Sequence, residues 1–341
     1  MTIVPPPKTI AIHVHGDLLG DALMKLPFLR AVRGAWPNAR ITWIAGKDRT
    51  YFALDLAPLV TGLIDETIQQ AGFGKSWWKI RGPLADRHFD LIIDTQRGVF
   101  PSIGLRRVRQ RVFVSGSFGF LLSDRKPGRG RTRPARLIDQ MMELLELAYG
   151  GPPPEGPDIY IDPAVEEVAA ALLPQEKAYI GFAPGSGYDR KCWPLDRFIA
   201  VARAQQAAGR APVFLMGPNE TSMVEPIRTA IPEAILPEDE PGTGISKDPV
   251  LSIAVAKKLT AAVANDAGAG HILAAAGTPL VSLFGPTPSE KFAPGAPVLR
   301  IVRAQDFGGE EMDAIPEEAV GAALKDLLKE TAPAPSRPPK G

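Results

Sequence analysis

Apolar runs rich in β-branched residues alternate with amphipathic stretches along nearly the whole chain, and this alternation stops once and restarts. Before the break the strand-like runs are TIAIHV (9–14), RITWIAG (40–46), LIDETI (63–68), FDLIIDT (89–95) and RVFVSG (111–116). After it they are AYIGFAPG (178–185), APVFLMG (211–217), AAVAND (261–266), PLVSLFG (279–285) and VLRIVRA (298–304). Helical patterning lies between most of them: at DALMKLPFLRAVRGA and over 136–150 in the first series, and over 194–208, 219–231, 248–257, 268–276 and 316–330 in the second. Such alternation predicts parallel sheets covered by helices on both faces. The break is sharp, because the 136–150 helix runs into Gly150-Gly151 and then three prolines, so GGPPPEGP (150–157) is the expected linker. A chain of 341 residues also exceeds what one hydrophobic core usually serves. The expected fold class is α/β: two doubly wound, Rossmann-like domains over 1–155 and 156–330, with a disordered tail over 331–341.

Composition narrows the function classes. Apolar residues make up 45% and charged residues 23%, ordinary for a soluble protein. The single cysteine, Cys192, excludes an internal disulfide and fits a reducing compartment. MTIVPPPKTI has no charged start followed by an apolar run, so no secretory signal is expected. The most apolar long window, 261–285, contains Asn265, Asp266, His271 and Pro279, so it is not expected to span a membrane. A soluble cytoplasmic protein is expected. Net charge is only +1, but charge is segregated: from Arg97 to Arg136 there are ten Arg and one Lys against one Asp, a local balance of +10. A solvated basic face and an anionic partner are both open readings of that segment. Nucleic acid is not expected, since no recognised binding module or stacking array accompanies the charge.

In doubly wound sheets, ligands bind outside the carboxyl ends of the strands, and between two such domains the natural site is a cleft. Three turns therefore matter. The first is HVHGDLLGDALMKLP (13–27), with Gly-Asp pairs at Gly16-Asp17 and Gly20-Asp21. An Asp at a strand-to-helix turn is either a helix N-cap or a general base, and local sequence leaves both open. The G-x-G-x-x-G spacing of a dinucleotide site is absent. The second turn, FAPGSGYDRKCWPLDRF (182–198), offers Ser186 and Lys191 as phosphate ligands, or simply as loop residues, and Trp193 as core. The third, from Asn265-Asp266 through Ala267-Gly268-Ala269-Gly270 to His271, opens a helix with small residues, and Gly285-Pro286-Thr287 turns after the next strand. That leaves a helix N-terminus open to a diphosphate. There is no zinc spacing, G-x-S-x-G elbow, Walker A loop or D-x-D pair in these turns. Metal-free phosphate handling, without a cofactor, is the expectation.

The ordered set Gly20-Asp21-x-Leu23-x-x-x-Pro27, RHFDLIIDTQ, APGSGYDRKCWPLDRF and NDAGAGHILAAAGTPLVSLFGPT resembles glycosyltransferase family 9, the ADP-heptose:lipopolysaccharide heptosyltransferases, from about residue 9 to residue 292. The resemblance implies a GT-B fold with the site between the two domains. It also implies an inverting, metal-independent transfer of heptose from ADP-heptose to an anionic, lipid-anchored inner-core sugar of lipopolysaccharide, with possible peripheral contact at the cytoplasmic face of the inner membrane. Asp21 would be the general base and Lys191 a second catalytic residue. Ser186, Gly187, Arg190, Lys191, Asp266, Ala267, Gly268, Ala269, Gly270, His271, Gly285 and Thr287 would hold the donor. Gly20, Asp21, Arg97, Arg125, Arg129, Arg131 and Arg133 would hold the acceptor. Two positions depart from the family pattern: Cys192 stands where Arg or His is common, and Ala267 where Ser or Thr is common. The rivals are another enzyme of the same fold, such as an epimerase or a transferase with a different donor or acceptor, and a non-catalytic nucleotide-sugar or glycan binder.

Overall fold

The chain divides by its internal packing into two units, residues 1–162 and 163–341, each with its own parallel sheet. The computed structural model describes residues 3, 5–72, 84–174, 177–217, 219–239 and 248–331. The tail expected to be disordered falls almost wholly outside the described residues.

In the first unit the strands are β1 (Thr9–Val14), β2 (Arg40–Ala45), β3 (Glu66–Ile68), β4 (His88–Asp94) and β5 (Arg109–Ser115). They lie in the order β3-β2-β1-β4-β5, all parallel. Helices α1 (Leu19–Ala35), α2 (Val99–Arg106) and α3 (Leu137–Tyr149) accompany them. The central strands are buried along almost their whole length, as a sheet covered on both faces requires. Helix α1 continues past Pro27, and α3 packs beside it, with Trp36 edge-on to Tyr149 at 5.8 Å. The Pro-rich segment after α3 is packed rather than free. Arg30 on α1 donates to the Pro157 carbonyl at 2.6 Å, and a side chain at Gly156 would overlap the Arg30 carbonyl. Residues 156–162 therefore go with the first unit, and the second begins at Pro163, the first residue of a helix that local patterning does not single out.

The second unit contains α4 (Pro163–Leu172), β6 (Tyr179–Ala183), α5 (Leu195–Ala207), β7 (Ala211–Phe214), α6 (Thr221–Ala230) and α7 (Pro249–Ala256). It continues with β8 (Ala261–Asn265), α8 (Gly268–Ala275), β9 (Leu280–Phe284), α9 (Ser289–Phe292), β10 (Leu299–Arg303) and α10 (Glu317–Thr331). Its sheet order is β10-β9-β8-β6-β7, again parallel. Val320, Leu324 and Leu327 of α10 close one side of a core built on Phe182, Phe198 and Phe214.

The two sheets are wound differently. The first has the dinucleotide-fold order, in which the chain reverses direction between β1 and β4; the second has the flavodoxin-like order, reversing between β6 and β8. Each reversal leaves a crevice at the carboxyl ends of those two strands, because the following helices go to opposite faces. The turns singled out from sequence after β1, β6 and β8 all fall at these switch points.

Candidate active site

In the second unit the switch point is built by Asn265, the last residue of β8, which is fully buried. Its amide Nδ2 donates to the Pro184 carbonyl at 2.7 Å, and its Oδ1 accepts from the Trp193 backbone N–H at 3.1 Å. One side chain thus ties both ends of the loop between β6 and α5 to the neighbouring strand. Trp193 anchors the far end as core: its indole donates to the Ile315 carbonyl at 2.9 Å and its ring stands edge-on to Phe198. Held this way, Lys191 places its Nζ 2.9 Å from Asp266 Oδ2, and the Thr287 hydroxyl donates to the same oxygen. Asp266 is only 7% exposed, so its charge needs those partners. The N-cap of α8 is Ala267, with no side-chain cap, so Asp266 spends its carboxylate on Lys191 and Thr287 rather than on capping.

Around this pair the turns are kept small. A side chain at Gly268 would meet nothing within 4 Å, which leaves the leading end of α8 open. One at Gly270 would come within 3.3 Å of the Asn265 carbonyl, and one at Gly285 within 2.8 Å of the Met312 sulfur. Ala269 and His271 lie half-buried on the same first turns of α8. The structure sends Arg190 elsewhere: it is exposed and pairs with Glu311. Ser186 accepts from the Tyr188 N–H at 3.4 Å, and Gly187 is exposed beside it. Sequence reasoning missed Glu220, buried where the turns after β6 and β7 meet. Side chains at Gly185 or Gly217 would each lie 2.4 Å from its carboxylate. Two glycines at the ends of adjacent strands are the signal that could have pointed to it.

The first unit has its own constellation. Helix α1 starts after Leu18, so Asp21 sits in the first turn but is not the N-cap, and the capping reading of that residue does not hold. Its carboxylate is exposed and lines a cavity of about 320 Å³ with Lys25, Arg97, Phe120, Arg133 and Glu143. Burial together with the neighbouring Arg133 cation lowers the pKa of the Arg97 guanidinium, as expected for two like charges held close. Of the other predicted acceptor arginines, Arg131 pairs with Glu143, while Arg125 and Arg129 have no carboxylate within ion-pair distance among the described residues. The +10 segment is in part balanced by acids outside it, since Arg111, Arg131 and Arg136 meet Asp90, Glu143 and Asp139.

Asp17 and Asp21 prove to be unlike. Asp17 is buried, takes the Thr50 hydroxyl at 2.7 Å and forms an ion pair with Lys25. Burial lowers the Lys25 ammonium from 10.5 to about 8. Lys25 lies one helical turn beyond Asp21, a spacing visible in the sequence but unread there. Behind them, at the switch point itself, Asp94 is fully buried and holds His13 at 2.8 Å, Ser115 at 2.9 Å and Ser102 at 2.5 Å. It fixes the ends of β1, β4 and β5 relative to one another. Replacing Lys25 by Met would strand the Asp17 carboxylate, and breaking a buried pair this way costs about 3–5 kcal/mol. Urea unfolding of Lys25→Met should show that loss; an unchanged midpoint would mean the pair carries no stability.

Two Rossmann-like units with polar constellations at both switch points define a protein of the GT-B architecture. The sequence pattern of glycosyltransferase family 9 (heptosyltransferase) matches residues 77–314, and the chain belongs to that family. It is 24% identical over 358 aligned residues to lipopolysaccharide heptosyltransferase 3 of Escherichia coli, covering 93% of this chain and 98% of that protein. It is 32% identical to lipooligosaccharide heptosyltransferase 2 of Haemophilus influenzae over 140 residues, a match that spans only 40% of this chain and 39% of that relative. The fold is shared with E. coli heptosyltransferase WaaC, solved with ADP-2-deoxy-2-fluoro heptose, at a TM-score of 0.63 and 19% identity over 95% of this chain and all of that one.

Proposed function

We propose that this protein is an inverting, metal-independent heptosyltransferase of lipopolysaccharide assembly, moving heptose from ADP-heptose to an anionic inner-core acceptor. The observation that carries the reading is the first-unit cavity, where an exposed carboxylate, Asp21, shares its walls with the guanidinium groups of Arg97 and Arg133. Such a cavity suits a hydroxyl that must lose a proton on a sugar that bears negative charge. The names of the relatives and the donor analogue in the WaaC structure support the choice of sugar and nucleotide.

In this reading Asp21 removes the acceptor proton as the new glycosidic bond forms, and the nucleotide diphosphate leaves from the opposite face of the anomeric carbon. The diphosphate gains negative charge as it leaves. An ammonium has three N–H donors; Lys191 gives one to the Asp266 carboxylate at 2.9 Å and one to the Asp266 carbonyl at 3.5 Å, and the third can reach a phosphate oxygen. The leading end of α8 at Gly268, Ala269 and Gly270, with Ser186, Gly187 and Thr287, adds dipoles aimed at the same charge. Asp266 also faces the donor sugar, and His271 and Gly285 close the surroundings. Arg125, Arg129 and Arg131, further along the basic strip, attract the acceptor's phosphates and acidic sugars. The acceptor's lipid anchor would bring the enzyme to the cytoplasmic face of the inner membrane.

ADP release from ADP-heptose, followed with and without a truncated lipopolysaccharide acceptor, tests the reading. Acceptor-dependent release supports a transferase, whereas tight binding with no release in either case supports a non-catalytic binder. Arg97→Ala should raise the acceptor KM by about tenfold while leaving the donor KM unchanged, since it removes a charged contact made to the acceptor alone. An unchanged acceptor KM would remove Arg97 from the acceptor site.

A further inference from the structure

The 117–120 turn after β5 holds two aromatic residues in the left-handed region, Phe118 at φ 50° and Phe120 at φ 68°, with Gly119 at φ 59° between them. Left-handed backbone costs a non-glycine residue on the order of 1 kcal/mol or more. The turn parts its side chains. Phe120 lines the Asp21 cavity, while Phe118 is 48% exposed and Leu121, which follows, is 69% exposed. Helix α2 packs against this turn and begins with Val99 and Phe100, the latter 59% exposed. The Ser117 hydroxyl bonds the Arg97 carbonyl at 3.4 Å, joining the two segments at their bases. Four large apolar side chains are therefore held in water on adjoining segments at the carboxyl end of one sheet, at a cost in backbone strain. Among the described residues nothing covers them.

The charge beside them says what would. Arg97, Arg125, Lys126 and Arg129 flank or follow these segments in the chain and have no carboxylate within ion-pair distance among the described residues. A second copy of the chain would bring like charge against like charge. A surface of anionic lipid would meet the cations and take up the apolar side chains together. Among the described residues no helix is long and apolar enough to cross a membrane. We infer that Val99, Phe100, Phe118 and Leu121, with these cations on the same stretches of chain, form a membrane-docking surface that inserts into an anionic leaflet beside the Asp21 cavity. Apolar insertion and attraction to anionic headgroups reinforce one another in interfacial binding. The inference rests on the proposed function for its purpose, which is to set the cavity at the level of a lipid-anchored acceptor, but docking can be read without turnover.

The test is flotation of the full chain with phosphatidylglycerol/phosphatidylethanolamine vesicles and with phosphatidylcholine vesicles, comparing the unaltered protein with the triple variant Phe100→Ser, Phe118→Ser, Leu121→Ser. The unaltered protein should float with the anionic vesicles, less so in high salt, and not with phosphatidylcholine alone. The variant should partition about tenfold or more weakly, as expected when exposed apolar side chains no longer leave water. Its ADP release with a deacylated, soluble core acceptor should be unchanged, which also establishes that it is folded. Equal flotation of variant and unaltered protein overturns the proposal. So does loss of a dimer on size-exclusion chromatography in place of lost flotation, because the surface would then belong to a second copy. If no heptose donor is turned over by either protein but the variant still loses flotation, the proposed function fails and the docking surface stands; folding of the variant is then read from its melting temperature.

Discussion

Asp21→Ala should lower turnover by about 10²–10⁴-fold, the range that a positioned general base supplies, while ADP-heptose binding stays near its original strength. The separation follows from where the residue sits. Asp21 belongs to the first unit and lines its cavity, whereas the residues proposed for the donor belong to the second. Stability should change little, because the carboxylate is exposed and caps nothing; only its favourable place in the first turn of α1 is lost, worth about 0.3–1 kcal/mol. Steady-state rates with saturating donor and acceptor, alongside calorimetric titration of ADP-heptose, separate the two quantities. Turnover close to that of the unaltered enzyme would mean that Asp21 is not the base. The parallel substitution of Asp17 should behave quite differently, since that residue is buried in an ion pair and its loss falls on folding rather than on chemistry.

Lys191→Ala should weaken donor binding and turnover together. A preorganised donor aimed at developing charge is worth about 10²–10³ in rate, and Lys191 would contact the diphosphate both before and during its departure. The substitution also leaves Asp266 with Thr287 as its remaining side-chain partner, so part of the loss could come from a displaced Asp266. The melting temperature of Lys191→Ala tests this. If it is unchanged while donor affinity falls, Asp266 has kept its place and the lysine itself holds the donor. Unchanged ADP-heptose affinity and rate in Lys191→Ala would remove it from the site.

Much of the architecture was legible because buried parallel strands write themselves as apolar runs. Every strand expected from sequence is present. Most are shortened at the carboxyl end, as where Pro184 and Gly185 after β6 belong to the turn, while β4 and β5 begin one and two residues earlier than expected. Helices α2 and α4 were not legible. The first is eight residues long with Pro101 within it, and the second follows a Pro-rich segment that reads as linker yet packs on α1 through Gly156 and Arg30. Strand order was not legible either, since it depends on which neighbour each strand chooses and not on its own composition. That order is what puts Lys191 and Asp266, 75 residues apart, at one switch point. The difference between Asp17 and Asp21 was equally hidden. Both follow glycine, and only the packing of Thr50 and Lys25 around the first makes it structural. Arg190 illustrates the reverse case: its sequence neighbourhood suits a phosphate ligand, but Glu311, 121 residues later, takes its guanidinium.

The central claim is that this family 9 chain transfers heptose from ADP-heptose to an anionic lipopolysaccharide core. Mass spectrometry of a reaction containing the purified protein, ADP-heptose and a panel of truncated lipopolysaccharide acceptors tests it most directly. The account predicts one acceptor heavier by a single heptose residue, formed in step with ADP and abolished by Asp21→Ala. ADP-heptose recovered intact from every acceptor, while a different nucleotide sugar is consumed, would contradict it.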